Sequence, residues 1–186
     1  LLNGEPHPFD DDEDRVWVGG LPVGETITLE VRALARYSRS GEGLHRYTDP
    51  EDGEVYLYTQ FEPNDAHRAW PCVDQPDVKP EWTFHVIAPA GWVVSSNGVE
   101  TAVEAVDDSG ALRHDFTATR PLSSYITAIV AGPWAVVEGG TWSGGASDGG
   151  HAELELRLLC RRTLARYLDS DDVFEVTRAG LDFFHE

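Results

Sequence analysis

The chain has 186 residues, of which 41% are hydrophobic and 10% aromatic, and its formal net charge is −19. This length and composition predict one sizeable packed domain, or one domain and the beginning of another. The acidic charge excludes nucleic acid and anionic membrane surfaces as partners, because both bind clusters of Lys and Arg. No apolar run approaches the ~20 residues of a membrane span and no charged-then-apolar leader is found, which predicts a cytoplasmic protein.

Two features of composition bear on completeness and metal binding. The sequence contains no Met, which predicts that it is a fragment. Cys72 and Cys160 are far apart and neither has a partner at metal-ligand spacing, so we expect buried free thiols. The acidic run Asp10 to Asp14 lacks the ligand spacing of a calcium loop, and a solvated loop is the interpretation we favour.

Most of the chain carries the signals of β-strands. Residues 25–37 alternate apolar and polar side chains, which indicates a long strand with one solvated face. Further runs with strand character are 15–18, 54–61, 82–87, 92–95, 100–106, 111–118, 125–137 and 152–160. Short turn signals separate them and no helices intervene. The prediction is a mainly β fold, an antiparallel sandwich or saddle-like sheet.

The end of the chain changes character. Residues 139–150 are rich in Gly and Ser and predict a flexible hairpin loop, since no Gly-Lys-Ser/Thr or following helix supports a phosphate cradle. Residues 163–168 look helical, and Ser170 then predicts an N-cap for a second helix. Val173, Val176, Gly180 and Phe184 are expected to line one face of it.

Residues 54–63 present the one constellation with chemical character. If the strand is extended, Gln60 and Glu62 lie on one face about 7 Å apart. Pro63 cannot donate to a strand ladder, so the strand is expected to stop where the two polar residues are presented. Spacing alone also allows Glu62 to begin a turn and Gln60 to be an ordinary edge-strand residue.

Residues 58–76 read Y-T-Q-F-E-P-N-D-A-H-R-A-W-P-C-V-D-Q-P. This stretch resembles the T-Q-F-E-x-x-D-A-R-R-x-F-P-C-x-D-x-P signature of the aminopeptidase N family of zinc metallopeptidases. Residues 125–134, 159–162 and 174–178 also resemble that family's N-terminal domain and the start of its catalytic domain. The departures are His67 in place of Arg, Trp70 in place of Phe and Val73 in place of an aromatic residue.

The resemblance implies a domain of an enzyme that removes N-terminal residues from peptides with a free N-terminus. It implies that the residue at Glu62 binds the free α-amine of the substrate and that the residue at Gln60 lines the same pocket. Zinc is implied only for the full-length parent, because neither the His-Glu-x-x-His helix nor the Gly-Ala-Met-Glu-Asn strand is present here. His185-Glu186 lacks the second His, so no metal ligand and no catalytic residue is assigned to this chain, which is expected to bind no zinc and to be inactive alone.

The expected organisation is an N-terminal β-domain over residues 1–160, with its first strands missing. Residues 161–186 would be a linker and the first helix of a missing catalytic domain, with the boundary between Cys160 and Ser170. Arg68 and Asp74 are interpreted as an internal clamp of the irregular loop, and His67 as a residue without a ligand role. The alternative function is a non-catalytic β-sandwich scaffold or protein-interaction module.

Overall fold

The computed structural model describes residues 1–12, 15–145 and 151–185. Its strands are β1 (Asp10–Asp12), β2 (Arg15–Trp17), β3 (Gly43–Thr48), β4 (Val55–Gln60), β5 (His85–Pro89), β6 (Val93–Ser96), β7 (Glu100–Ala105), β8 (Ala111–Phe116), β9 (Ile129–Gly132), β10 (Ala135–Gly145) and β11 (His151–Cys160). One α-helix, α1 (Ser170–His185), follows three short 3-10 helices at Ala66–Arg68, Ser124–Ile126 and Arg162–Tyr167.

The strands form four sheets. The largest has the order β3-β4-β9-β6, and a three-stranded sheet has the order β5-β8-β7. The pairs β1-β2 and β10-β11 stand alone, and β10-β11 is antiparallel with a register shift between Glu138 and Thr141. Both ladders of the three-stranded sheet are antiparallel as well. The predicted fold class, mainly β with antiparallel pairing and a short C-terminal helical segment, is confirmed.

The described chain divides into two compact units. The first comprises Leu1–Tyr47, Leu57–Ala90 and Val94–Val130. Its buried residues include Leu57, Phe61, Ala66, Val94 and Phe116, which come from strands and from the loop after β4. That loop is therefore part of the hydrophobic core of its unit, because apolar side chains at its two ends are removed from water.

The second unit comprises Thr48–Tyr56, Gly91–Val93 and Ala131–Glu186. Within it, Phe174 of α1 is buried and packs where Gly139 of β10 leaves space, since a Cβ at that position would lie 2.3 Å from the Phe174 ring. Asp182 accepts a hydrogen bond of 2.8 Å from Trp142 Nε1, and the His185 ring stacks on Trp142 at 4.8 Å. Helix α1 is thus held to β10 by both apolar and polar contacts.

The long strand predicted over residues 25–37 is wrong. Over the described residues this segment makes one isolated bridge, with Leu29 opposite Leu2, and Leu34 is fully exposed. Alternating apolar residues indicate an extended backbone, but a strand also needs a neighbour for its N–H and C=O groups. Over the described residues no such continuous neighbour lies beside this segment.

The predicted strand 125–137 is interrupted. A 3-10 turn covers Ser124–Ile126, β9 ends at Gly132, and β10 begins at Ala135. Gly132 allows a close approach of the backbone, because a Cβ there would lie 3.1 Å from the carbonyl oxygen of Val55. Pro133 has no N–H to donate to a ladder, which explains the break at this point.

The face of α1 that packs also differs from the prediction. Val173 and Val176 are exposed at 38% and 65%, whereas Phe174 and Asp182 make the contacts with β10. An apolar pattern cannot identify a packing face that includes hydrogen-bonding residues. Asp169 rather than Ser170 caps the helix, because its side chain accepts from the Asp172 N–H at 3.3 Å. The predicted helix at 163–168 is the 3-10 helix Arg162–Tyr167.

Cys72 and Cys160 are free, as predicted, but each is only partly buried. Residues 10–12 of the acidic run form β1, whereas residues 13 and 14 lie outside the described residues, as do residues 146–150 of the Gly/Ser-rich segment and Glu186. Among the described residues, no helix has the length and apolarity required to span a membrane. The domain boundary between Cys160 and Ser170 stays a prediction.

Candidate functional site

Gln60 and Glu62 lie where β4 ends. The strand stops at Gln60, and both polar residues are exposed while Phe61 between them is buried, with 1% of its surface accessible. The strand therefore ends at the polar pair, as the sequence predicts. Glu62 belongs to the turn after β4, however, so strand alternation does not set the separation of the two side chains.

The turn holds Glu62, Pro63 and Asn64 outside the core, and we call these three residues the Glu62 arch. All three are exposed, and the Glu62–Pro63 peptide bond is cis. Buried residues anchor the arch at both ends, Phe61 before it and Ala66 after it. The Asp65 N–H donates to the Phe61 carbonyl oxygen at 2.8 Å and closes the turn. An exposed carboxylate is thus presented on a short, closed loop with fixed ends.

An aromatic cluster supports the first anchor. Phe61 meets Trp70 edge to face with ring centroids 4.9 Å apart, and Trp70 in turn lies 5.4 Å from Phe84. Trp82 stacks on Phe84 at 6.1 Å and donates from Nε1 to the Leu122 carbonyl oxygen at 2.9 Å. Aromatic pairs at such distances add to the free energy of burial, so the base of the arch is rigidly packed.

Asp74 is the polar centre of the same loop. Its Oδ2 accepts from the His67 N–H at 3.1 Å and lies 2.8 Å from His67 Nδ1, while Oδ1 accepts from Ser124 Oγ at 2.6 Å. Burial raises the pKa of Asp74, but the hydrogen bonds from Ser124 and His67 outweigh burial and hold the pKa below its ordinary value. The carboxylate is therefore ionised, and His67 Nδ1 carries the proton that it donates.

Arg68 forms a separate set of contacts. Its Nη1 lies 3.2 Å from both Asp65 Oδ1 and Glu42 Oε2. The predicted clamp of Arg68 and Asp74 is wrong in its pairing, because the two side chains contact different residues and not each other. His67 contacts Asp74 instead, and the sequence did not predict this contact.

No local signal in the sequence points to some of these partners. Ser124 is 50 residues from Asp74, and Glu42 is 26 residues from Arg68. Residues at such separations meet only because the sheets bring their loops together. His67 and Asp74 are seven residues apart in an irregular loop, where neither helical nor strand spacing relates them.

The potential metal ligands are dispersed over the described residues. Within residues 1–12, 15–145 and 151–185, no three His, Cys, Asp or Glu side chains are grouped in a way that could hold a metal ion. His185, from the only His-Glu pair in the sequence, stacks on Trp142. The donors that the zinc of the family resemblance would require are not provided by this part of the chain.

Burial controls the chemistry of Cys72 in the same loop. Loss of solvation raises the pKa of its thiol to about 11, and the negative charge of Asp74 acts in the same direction. The thiolate is the reactive form of cysteine, so Cys72 is a packing residue at neutral pH and not a nucleophile.

The fold and the arch define a class of protein: a mainly antiparallel β-domain that presents an acidic residue on a braced loop. Residues 12–126 match the family model described as the Peptidase M1 N-terminal domain. The chain belongs to this family, and its membership in the aminopeptidase N group, predicted from residues 58–76, is confirmed.

Individual relatives agree with this assignment. The chain is 41% identical over 174 residues to aminopeptidase N of Streptomyces lividans, which covers 94% of this chain and 19% of that protein. It is 32% identical over 127 residues to aminopeptidase N of Haemonchus contortus, with 67% of this chain and 13% of that protein covered. Glutamyl aminopeptidase of Mus musculus is 30% identical over 104 residues, 55% of this chain and 11% of that protein. The chain thus spans about a fifth or less of the length of these relatives.

Proposed function

We propose that this chain is the N-terminal β-domain of a zinc-dependent aminopeptidase and that it binds the free α-amine of peptide substrates. Glu62 is the proposed anchor and Gln60 lines the same pocket. The observation that carries the proposal is the placement of Glu62, an exposed carboxylate on an arch whose two ends, Phe61 and Ala66, are buried. Family membership supplies the reaction class, the removal of N-terminal residues from peptides.

The chemistry of the anchor follows from its donors and acceptors. An ammonium group has three N–H donors, and the carboxylate of Glu62 and the amide oxygen of Gln60 supply acceptors. Hydrogen bonds between two ionised groups are about twice as strong as neutral ones. An internal peptide bond offers no such cation, so this pair would select the end of a chain and make the enzyme an exopeptidase.

Zinc and the residues that hold it are proposed to lie in the rest of the parent protein. The described residues do not fit a zinc site, so this chain contributes substrate binding and no step of bond cleavage is assigned to it. The cytoplasmic location stays a prediction.

The test compares substrates with and without a free amine in the full-length protein that contains this chain. We expect Glu62→Gln to raise KM for a free aminoacyl reporter roughly ten- to a hundredfold, the equivalent of ~1.5–3 kcal/mol for a hydrogen bond to a charged group. The ratio of kcat/KM between the free and the N-acetylated reporter should fall by the same factor. Asn64→Ala, a change on the same arch, is the matched control and should leave both values within twofold.

Two outcomes would contradict the proposal. If KM for the free amine is the same in Glu62→Gln and in the wild type, Glu62 is not the anchor. If the full-length protein hydrolyses no aminoacyl reporter when supplied with zinc, the non-catalytic scaffold or interaction module is the correct function.

A further inference from the structure

The Glu62 arch is exposed, and a binding residue on an exposed loop needs a device that holds it in place. Useful positioning requires a tolerance of about 0.5 Å, and a shift of 1 Å costs up to a hundredfold in rate. Phe61 fixes the first end of the arch through the aromatic cluster. The second end continues directly into the 3-10 helix Ala66–Arg68, so its position depends on the contacts that hold this helix.

Asp74 contacts the 3-10 helix twice, both times at His67. One carboxylate oxygen accepts from the backbone N–H of His67 and also contacts His67 Nδ1, at 3.1 Å and 2.8 Å. A backbone and a side-chain contact to the same residue fix both the path of the helix and the orientation of the imidazole. Asp74 is itself well shielded, with 9% of its side chain accessible.

The other side of Asp74 is tied to a separate part of the same unit. Ser124 Oγ donates to Oδ1 at 2.6 Å, and the neighbouring Ser123 Oγ donates to the Pro76 carbonyl oxygen at 2.6 Å. Ser124 is 1% exposed and lies in a 3-10 turn that Thr127 closes, because the Thr127 N–H and Oγ1 both bond the Ser124 carbonyl oxygen. The loop is therefore fastened to a buried turn at Asp74 and again two residues later at Pro76.

We propose that Asp74 is a positioning residue for Glu62: through His67 it fixes the second end of the Glu62 arch relative to the Ser124 turn. The inference rests on the proposed function, since it concerns the same amine anchor. Asp74 does not contact the substrate in this scheme. Its carboxylate sets where the arch stands, and Glu62 performs the binding.

The experiment is a double-mutant cycle in the full-length protein, with KM and kcat measured on an aminoacyl reporter. We expect Asp74→Asn to raise KM about fivefold while kcat changes less than twofold, because a shifted arch weakens amine binding. In the Glu62→Gln background the same substitution should change KM by less than twofold. A residue that acts through Glu62 loses its effect when Glu62 no longer binds the amine.

Two further variants separate positioning from general damage. Ser124→Ala removes only one donor to Asp74 and is expected to raise KM about twofold, and it tests the inference if Asp74→Asn does not fold. Asp115→Asn is the matched control, because Asp115 is also a carboxylate that contacts a His, with Oδ1 2.5 Å from His85 Nδ1. It should leave KM unchanged.

The possible results are distinct. An unchanged KM in both Asp74→Asn and Ser124→Ala overturns the inference, and so does an equal rise in KM with and without Glu62. If Glu62→Gln alone leaves KM unchanged, the proposed function fails and the positioning role fails with it. If Glu62→Gln raises KM and Asp74→Asn does not, only the positioning role is lost.

Discussion

Asp49, which is buried, and Asp74, which is partly buried, are two carboxylates that each hold a loop in place with different partners. Asp49 accepts from the Glu51 N–H, Arg161 Nη1 and Thr163 Oγ1 at 2.9, 2.8 and 2.7 Å. Asp74 also has three contacts, two from His67 and one from Ser124. Each ties a loop to a distant segment of its own unit: Asp49 ties the β3-β4 turn to the segment before α1, and Asp74 ties the loop after β4 to the Ser124 turn.

The difference lies in the cation. Arg161 keeps its charge at every pH that the protein tolerates, whereas an imidazole side chain ordinarily changes charge between pH 5 and 8. The Asp49 cluster is therefore a permanent structural tie. The Asp74 cluster stands beside the proposed amine anchor and contains an imidazole at a position where the family signature has Arg.

The largest expected effect separates the two carboxylates by stability. Asp74→Asn should lower the free energy of unfolding by ~1.5–3 kcal/mol, because hydrogen bonds to a charged group are replaced by neutral ones. Asp49→Asn should cost more, since its carboxylate is 2% exposed and also pairs with a guanidinium. Thermal unfolding followed by circular dichroism measures both, with ~2–4 °C expected per kcal/mol at this size.

Asp107→Asn is the control for this comparison. Asp107 caps an exposed turn through the Ser109 N–H at 2.7 Å and ties no distant segment. Its substitution should lower the midpoint temperature of thermal unfolding least of the three. Equal shifts for the substitutions at 49 and 107 would show that the Asp49 cluster is not a structural tie.

Replacing the guanidinium beside Asp49 by an imidazole tests this difference at smaller magnitude. Arg161→His should lose about 0.5–1 kcal/mol of stability relative to the wild type between pH 5 and pH 8, because an imidazole ordinarily loses its charge in that range. A protonated imidazole paired with Asp49 would have a raised pKa in the folded state, and the stability it contributes is lost as pH rises through that pKa.

Urea unfolding at the two pH values measures this loss. Arg32→His is the matched control, because Arg32 pairs with Glu30 on the surface, where their side chains are 87% and 44% exposed. Its stability relative to the wild type should be the same at both pH values. If the stability of Arg161→His relative to the wild type is also the same at both pH values, the charge of Arg161 does not contribute to the Asp49 cluster.

The parts of the fold that could be read from the sequence are those set by local order. The alternation of Leu154, Leu156 and Leu158 with charged residues predicts β11, and β10 provides the partner that this pattern needs. The same alternation in residues 25–37 fails because the pattern specifies which side chains share a face, but not what pairs with the backbone. Helix α1 shows the same limit, since Asp182 and His185 pack while Val176 does not.

In the candidate site, too, the local features were predictable and the long-range contacts were not. The exposed placement of Gln60 and Glu62 follows from a contiguous motif and from a strand that ends at Gln60, shortly before Pro63, so it was predictable. The contacts that hold the arch were not, because Ser124 reaches Asp74 from 50 residues away. Local sequence indicates a candidate binding residue, whereas the contacts that support it depend on long-range packing.

The smallest expected effect concerns the loss of stability in acid, because Asp49 and Asp74 both have a lowered pKa. Hydrogen bonds from Thr163 and the Glu51 N–H lower the pKa of Asp49 against the effect of burial, and Arg161 adds to the lowering. Ser124 and His67 overcome the effect of burial to lower the pKa of Asp74, and the pKa values of Asp107 and Asp115 are lowered as well.

Between such a lowered pKa and the ordinary carboxyl value of ~3.9, the unfolded chain binds more protons than the folded one. The stability from these groups is therefore fully present above that value and is lost as pH falls through the folded pKa. In both Asp49→Asn and Asp74→Asn, the free energy of unfolding should fall less steeply from pH 5 to pH 3 than in the wild type. The difference in slope should correspond to at most about one proton taken up on unfolding, as measured by urea titration at each pH. Thr163→Val and Ser124→Ala keep the carboxyl groups but remove a hydrogen-bond donor. Each should therefore reduce the slope of the unfolding free energy against pH by less than the matching Asn variant does. A slope unchanged from wild type in both Asn variants would mean that neither carboxylate is selectively stabilised in its ionised form, and the comparison between them would lose its basis.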